Sequence, residues 1–195
     1  LDLTMFSTGS GASATASVGT GYIQKIFLDN DGSGFTSTPT VAITTAPSGG
    51  TDATAVAITT TRNNITSISE ILLTNAGTGY TVAPTITISG GGGTGAAATC
   101  GIITAHRGVI SFTITDGGSG FTTTPPVSIA APPLSPTINA SAKAVVSAGG
   151  SITEIRIVNA GAGFLGSAPT VTIGSAATTG IGTYWFNEVI TGSRS

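Results

Sequence analysis

Four times along its 195 residues the chain repeats one phrase: two glycines around a single residue, an aromatic, then a proline four or five positions on. The copies are Gly32-Ser33-Gly34-Phe35-Thr36 with Pro39, Gly77-Thr78-Gly79-Tyr80-Thr81 with Pro84, Gly118-Ser119-Gly120-Phe121-Thr122 with Pro125, and Gly161-Ala162-Gly163-Phe164-Leu165 with Pro169. The aromatics lie 45, 41 and 43 residues apart. A period of this length marks an architecture in which each repeat is one supersecondary unit. Behind each proline runs an apolar alternation: Val41/Ile43, Ile86/Ile88, Val127/Ile129 and Val171/Ile173. Ahead of each glycine pair runs another: Ile26/Leu28, Ile71/Leu73, Phe112/Ile114 and Ile155/Ile157. Three residues upstream of each of these stands one more apolar anchor, Ile23, Ile68, Val109 or Ile152. An Ala-rich alternation opens every unit, at Ala12/Ala14/Ala16, Ala53/Ala55/Ala57, Ala96/Ala98 and Ala140/Ala142/Ala144.

Alternation with period two, rich in Val, Ile and Thr, reads as strand, and no stretch sustains a helical period. The fold class is therefore all-β: four tandem repeats of about 43 residues, each of three short strands. The glycines permit a positive φ in the turn between the second and third strands. Proline is tolerated where it heads the third. The odd offset of three between anchor and pair calls for a bulge or tight turn. The aromatic is expected to plug the end of its own unit. Ala on one face of the first strand implies a crowded interior or a subunit contact on that side. The units run 12–43, 53–88, 96–129 and 140–173. Residues 1–11, with Leu3 and Met5, read as the end of a preceding unit, and 174–195 as a cap or the start of the next.

One such unit cannot bury its apolar face alone, so neighbours must cover it. Two arrangements do this: a β-prism or solenoid-like stack within the chain, or a trimeric shaft to which three chains each give a wall. The truncated phase at both ends implies completion by neighbouring copies. Self-association, as a homotrimer or head to tail, is the expected partner relation. The sequence opens on Leu1 without a signal-peptide pattern, as expected of a fragment or processed product.

Charged residues make up 7% of the chain, against about 25% in an average domain. Six Lys plus Arg stand singly and the net charge is −2, so no basic footprint for nucleic acid exists. No stretch reaches the ~18 apolar residues of a spanning helix, so no membrane insertion is expected. The single Cys100 rules out an internal disulfide framework.

The candidate sites are few. Asp29-Asn30-Asp31-Gly32 opens like a calcium loop, with Asp29 and Asp31 as candidate ligands, but position twelve is Thr40 instead of a carboxylate. We read it as a turn, since the other units carry Asn75-Ala76-Gly77, Asp116-Gly117-Gly118 and Asn159-Ala160-Gly161 there. The string from Gly161 to Gly166 matches a dinucleotide fingerprint, yet a proline and a strand follow where a helix is needed. The run from Gly90 to Gly95 lacks the residues of a phosphate loop and reads as a connector. His106 lies near Cys100 and Arg107, but its turn is one of four equivalents and no other carries a histidine, so a solvated turn is the better reading. Asp52, Glu70, Asp116, Glu154 and Glu188 are dispersed and form no acid/base pair. Tyr184-Trp185-Phe186 reads as the closure of a β core before it reads as a sugar platform. Asn64-Ile65-Thr66 and Asn139-Ala140-Ser141 are glycosylation strings that need a secretory context. No cofactor and no catalytic residue is expected, and the recurring Gly34, Phe35, Gly79, Tyr80, Gly120, Phe121, Gly163 and Phe164 are taken as structural.

The unit from Ile68 to Ile88, Ile-x-x-Ile-x-Leu-x-Asn-Ala-Gly-x-Gly-Tyr-Thr-x-x-Pro-Thr-Ile-Thr-Ile, resembles repeats in virion structural proteins of tailed phages, in particular fibre and decoration proteins of cyanobacterium-infecting phages. The likeness covers roughly residues 12 to 173, and Leu165 departs from it. It implies a non-enzymatic surface element, a fibre shaft or capsid decoration on a virion, with other virion proteins as partners, and it carries over no catalytic or ligand residues. The alternative is a bacterial extracellular adhesin or filament subunit that binds a cell-surface glycan.

Overall fold

Apolar residues at every second position, punctuated by Gly, Asn and Pro, suit strands and nothing else. The computed structural model describes residues 9–175 and forms twelve strands, with no helix among them. Unit one contains β1 (Ser10–Gly19), β2 (Tyr22–Ser33) and β3 (Thr40–Ile43). Unit two contains β4 (Thr54–Arg62), β5 (Ile65–Asn75) and β6 (Ile86–Ser89). Unit three contains β7 (Thr94–Ile103), β8 (Gly108–Ser119) and β9 (Val127–Ile129). Unit four contains β10 (Ser141–Val146), β11 (Ile152–Asn159) and β12 (Val171–Ile173). Ser10 and Gly11, expected to end a preceding unit, open β1 instead. Leu3, Met5, Glu188 and the cluster at 184–186 lie outside the described residues.

Each Ala-rich strand pairs antiparallel with a long Ile-rich strand, and the register is the same four times. Ala57 faces Ile71 and Ala55 faces Leu73; Ala144 faces Ile155 and Ala142 faces Ile157. Ala16 faces Phe112 and Ala14 faces Ile114; Cys100 faces Ile26 and Ala98 faces Leu28. All four ladders have two bulges. The extra residue of the first is Gln24, Ser69, Ile110 or Thr153, directly after the anchor, where the odd spacing requires it.

The pairing partners are not those of a solenoid. Units two and four close their own hairpins, β4 with β5 and β10 with β11. Units one and three exchange strands: β1 pairs with β8, and β7 with β2. β1 continues into β2 through Thr20 and Gly21, and β7 into β8 through residues 104–107. One long ribbon results, running from Ser10 opposite Ser119 to Ser33 opposite Thr94. Turn chemistry explains the contrast between units one and two. Asn63 and Asn64 adopt φ of +50° and +62°, the positive pair that a two-residue hairpin needs. Thr20-Gly21 places a β-branched residue where the first positive φ would fall, which disfavours a local hairpin.

The short Pro-led strands pair as β3–β6 and β9–β12. Each also packs on an Ala-rich strand: β3 on β4, β6 on β7, β9 on β10, and β12 on β1. The Ala faces turn inward beneath these strips, whereas Ser13, Thr15, Thr54 and Ser141 on the alternate face are exposed. Larger residues would hold the strips off the ribbon. In the first three cases the covering strand precedes the covered one in sequence, and β12 on β1 completes the cycle. The cover over β1 that the repeat phase assigns to a neighbouring copy is thus supplied by β12 of the same chain.

The anchors Ile23, Ile68, Val109 and Ile152 are all buried, and Ile23, Ile68 and Val109 share one apolar cluster with Leu73 and Ile157. Each such side chain contributes roughly 1.5–3 kcal/mol. A second cluster groups Phe121, Ala144, Ile152 and Ile155 in units three and four.

Candidate functional site

The repeated phrase forms four loops, and its residues do the same work in each. An Asn or Asp side chain accepts a hydrogen bond from the N–H two residues on: Asn30 from Gly32 (2.9 Å), Asn75 from Gly77 (2.8 Å), Asp116 from Gly118 (2.8 Å) and Asn159 from Gly161 (2.9 Å). Both glycines of every copy have positive φ, between +59° and +95°. The first glycine also lies against backbone at the start of an Ala-rich strand. A Cβ on Gly32 would stand 2.7 Å from the Thr94 carbonyl oxygen, and one on Gly77 2.7 Å from that of Thr51.

The aromatic that follows is buried in all four copies. Its N–H donates to the turn region of a partner unit: Phe35 to Thr66 O (3.2 Å), Tyr80 to Gly21 O (2.8 Å), Phe121 to Gly150 O (2.9 Å) and Phe164 to Arg107 O (3.2 Å). Units one and two therefore clasp each other, as do three and four. The ring does not simply plug its own unit. Phe35 sits against Gly93, ahead of β7, and Phe121 against Gly9, ahead of β1, so each seals a ribbon end shared with another unit. Tyr80 adds a polar anchor: its hydroxyl accepts from Ala53 N–H (3.0 Å) and donates to Thr44 O (3.2 Å).

At the middle of the long ribbon the loops of units two and four insert. Ile23 N–H donates to Ala76 O (2.9 Å) and Ala76 N–H to Ile110 O (2.7 Å); Val109 N–H donates to Ala160 O and Ala160 N–H to Gln24 O (both 2.8 Å). Ala76 and Ala160 are fully buried in this ring of four bonds. Beside it Tyr22, also fully buried, donates its hydroxyl to Gly161 O (2.6 Å). Burial drives the phenol pKa far above its usual value. The Tyr22 ring covers Gly108, where any Cβ would collide with it.

The residues singled out for chemistry are not brought together. Asp29 is a bulge residue whose carboxylate accepts from the Thr99 hydroxyl (3.2 Å), while Thr74 and Thr115 at the same position bond Thr54 and Ser13 across the ladder. Asp31 is exposed. Cys100 takes the inward place held elsewhere by Ala16, Ala57 and Ala144; its thiol donates to Pro84 O (3.5 Å), and burial raises its pKa. His106 is half-buried in the turn between β7 and β8. Among the described residues no three of His, Cys, Asp and Glu gather as metal ligands. Asn64 and Asn139 are both exposed. The described residues include a shallow, solvent-open cleft lined by Thr122–Thr124 and Ser147–Gly150 and another lined by Thr20, Gly21, Thr78–Thr81 and Arg107. Each lies where a glycine–aromatic loop grips a turn.

Comparison with known proteins finds no matching family model, no similar curated protein and no similar solved structure.

Sequence reading missed the central role of Ala76 and Ala160, although a signal was present. Units two and four read Asn-Ala-Gly, whereas units one and three read Asn-Asp-Gly and Asp-Gly-Gly. The alternation separates the loops that enter the centre from those at the ribbon ends.

Proposed function

We propose that the chain is a non-enzymatic structural protein of a phage virion surface, a segment of fibre shaft or a capsid decoration. The observation that carries the reading is that the recurring residues serve the fold itself, the apolar ones its core and those of the glycine–aromatic phrase its backbone. The glycines supply positive φ, the Asn and Asp side chains close turns, the aromatics lock loops onto neighbouring units, and the prolines head strands. Repetition spent on rigidity fits a protein whose product is its own shape. The resemblance of the repeat to virion proteins gives the setting, and other virion proteins are the proposed partners. Self-association, as a homotrimer or head to tail, belongs to the same proposal. Three-stranded units closed in a cycle are the proposed building block of the shaft, and the thinly charged surface favours contact with further copies.

Trypsin digestion and gene context test this together. The described residues hold Lys25, Arg62, Arg107, Lys143 and Arg156 as cleavage sites, four of them within strands and Arg107 bonded to Phe164. Survival of the folded chain for hours, with capsid, portal or tail genes alongside its own, supports the proposal. Rapid cutting between units speaks against a rigid element, and flanking secretion genes favour the adhesin.

A further inference from the structure

The chain is a pair of half-molecules. Residues 9–89 and 94–175 share one strand arrangement: β2 packs on β5 as β8 does on β11, and β3 pairs with β6 as β9 does with β12. Between the halves the relation is reciprocal: β1 pairs with β8 and lies under β12, while β7 pairs with β2 and lies under β6. The ring of backbone bonds obeys the same exchange, since Ile23 to Ala76 matches Val109 to Ala160. One departure lies at the contact between the halves. Tyr22 and Gly108 occupy matching positions, and the tyrosine ring fills the space that the glycine leaves. Two first halves would set Tyr22 against Tyr22, and two second halves would leave a hole, so a first half fits a second half. What joins the halves is Gly90-Gly91-Gly92-Gly93, three of them at positive φ in a tight reversal between β6 and β7.

We propose that this half-to-half surface is an exchange interface, and that the partner it fits is a second copy of the chain. Every contact between the halves can form equally between copies; the four-glycine hinge changes shape and gives up the bonds that Thr36 and Ser37 donate to Gly91 O, a small local loss of the kind domain swapping requires. Within one chain the hinge holds the halves at an effective concentration of order millimolar, so intrachain closure prevails in dilute solution. Because Tyr22 and Gly108 make the contact heterologous, exchange in one direction gives open chains of molecules and reciprocal exchange gives a dimer. The inference does not depend on the virion reading.

Disulfide trapping in the full chain tests it, with Cys100→Ala as background. The Ser13 and Thr115 hydroxyls meet across the β1–β8 ladder at 2.7 Å, so Ser13→Cys with Thr115→Cys should crosslink within the monomer. Deleting Gly90, Gly91 and Gly92 leaves one residue between β6 and β7, too few for the reversal. The same cysteine pair should then link separate chains, and the oxidised band should move to dimer mobility or higher. As a check on the intact hinge, a Ser13→Cys chain and a Thr115→Cys chain are refolded together at high concentration. Mixed dimers are expected, and their yield should rise with concentration. A Ser13→Cys chain refolded with an Asp29→Cys chain reports first-half to first-half pairing and should give none. Exclusively intrachain crosslinks in the deletion variant, or its failure to fold together with no mixed dimers from the intact hinge, would overturn the proposal. Efficient first-half to first-half crosslinking would overturn the role of Tyr22.

Discussion

The two glycines of the repeated phrase look alike in sequence and should respond very differently to the same substitution. Gly32 and Gly34 both have positive φ, +61° and +78°. Placing an L side chain in that region costs about 1–2 kcal/mol at either position. At Gly34 nothing lies within 4 Å of an added Cβ, so the conformational cost is the whole cost. At Gly32 the new methyl meets the Thr94 carbonyl oxygen at 2.7 Å and the Ala96 nitrogen at 2.8 Å, both backbone atoms that can move only if the ladder moves. Overpacking of that kind adds about 1–3 kcal/mol. Gly32→Ala should therefore lose about 2–5 kcal/mol and Gly34→Ala about 1–2 kcal/mol, against a stability of order 5–15 kcal/mol for a domain. Equilibrium unfolding in urea, followed by circular dichroism, gives both values directly from the midpoint when the slope is unchanged. Gly34→Asn should recover most of the smaller loss, because Asn tolerates positive φ. Equal losses at the two positions would refute the assignment of the first glycine to close backbone packing.

Three further outcomes are expected. Ala55→Phe should destabilise by at least about 1–3 kcal/mol because β3 lies over that face, whereas Thr54→Phe on the exposed face should lose much less; thermal melts compare them. Tyr80→Phe leaves the Ala53 N–H and the Thr44 carbonyl without their partner and should cost about 1–3 kcal/mol, read from the urea midpoint. Burial raises the Tyr22 pKa, so the folded state favours the neutral phenol, and its contribution is intact below about pH 10 and is lost as pH rises past the unfolded value. Tyr22→Phe should lower stability at neutral pH by the lost bond to Gly161 and flatten the fall above pH 10, as measured by denaturation across pH.

The strands and their faces were legible because alternation reports burial directly: Ile23, Ile71, Leu73, Ile155 and Ile157 turned inward as their spacing required. The bulge at Gln24 and its equivalents was legible for the same reason, an odd offset between residues that must share a face. Strand partnership was not. Ala14 against Ile114 and Ala55 against Leu73 are chemically alike, so each Ala-rich strand can satisfy any of four long strands at identical register. What separates the outcomes is small and local. Asn63-Asn64 closes a hairpin and Thr20-Gly21 does not, and Ala76 fits a centre where Asp31 would have to be buried. The roles of Asp29 and Cys100 were obscured because a carboxylate standing in for a threonine, or a thiol for an alanine, resembles chemistry until its neighbours are known.

The most direct test of the structural role is to find the protein in place. Antibodies raised against the folded chain, gold-labelled and applied to particles and host cells of the source, report its position in the electron microscope. The account predicts label on the outside of intact virions, at a regular site along a fibre or over the capsid. Unlabelled virions, with the protein confined to the interior of the host cell, would contradict it.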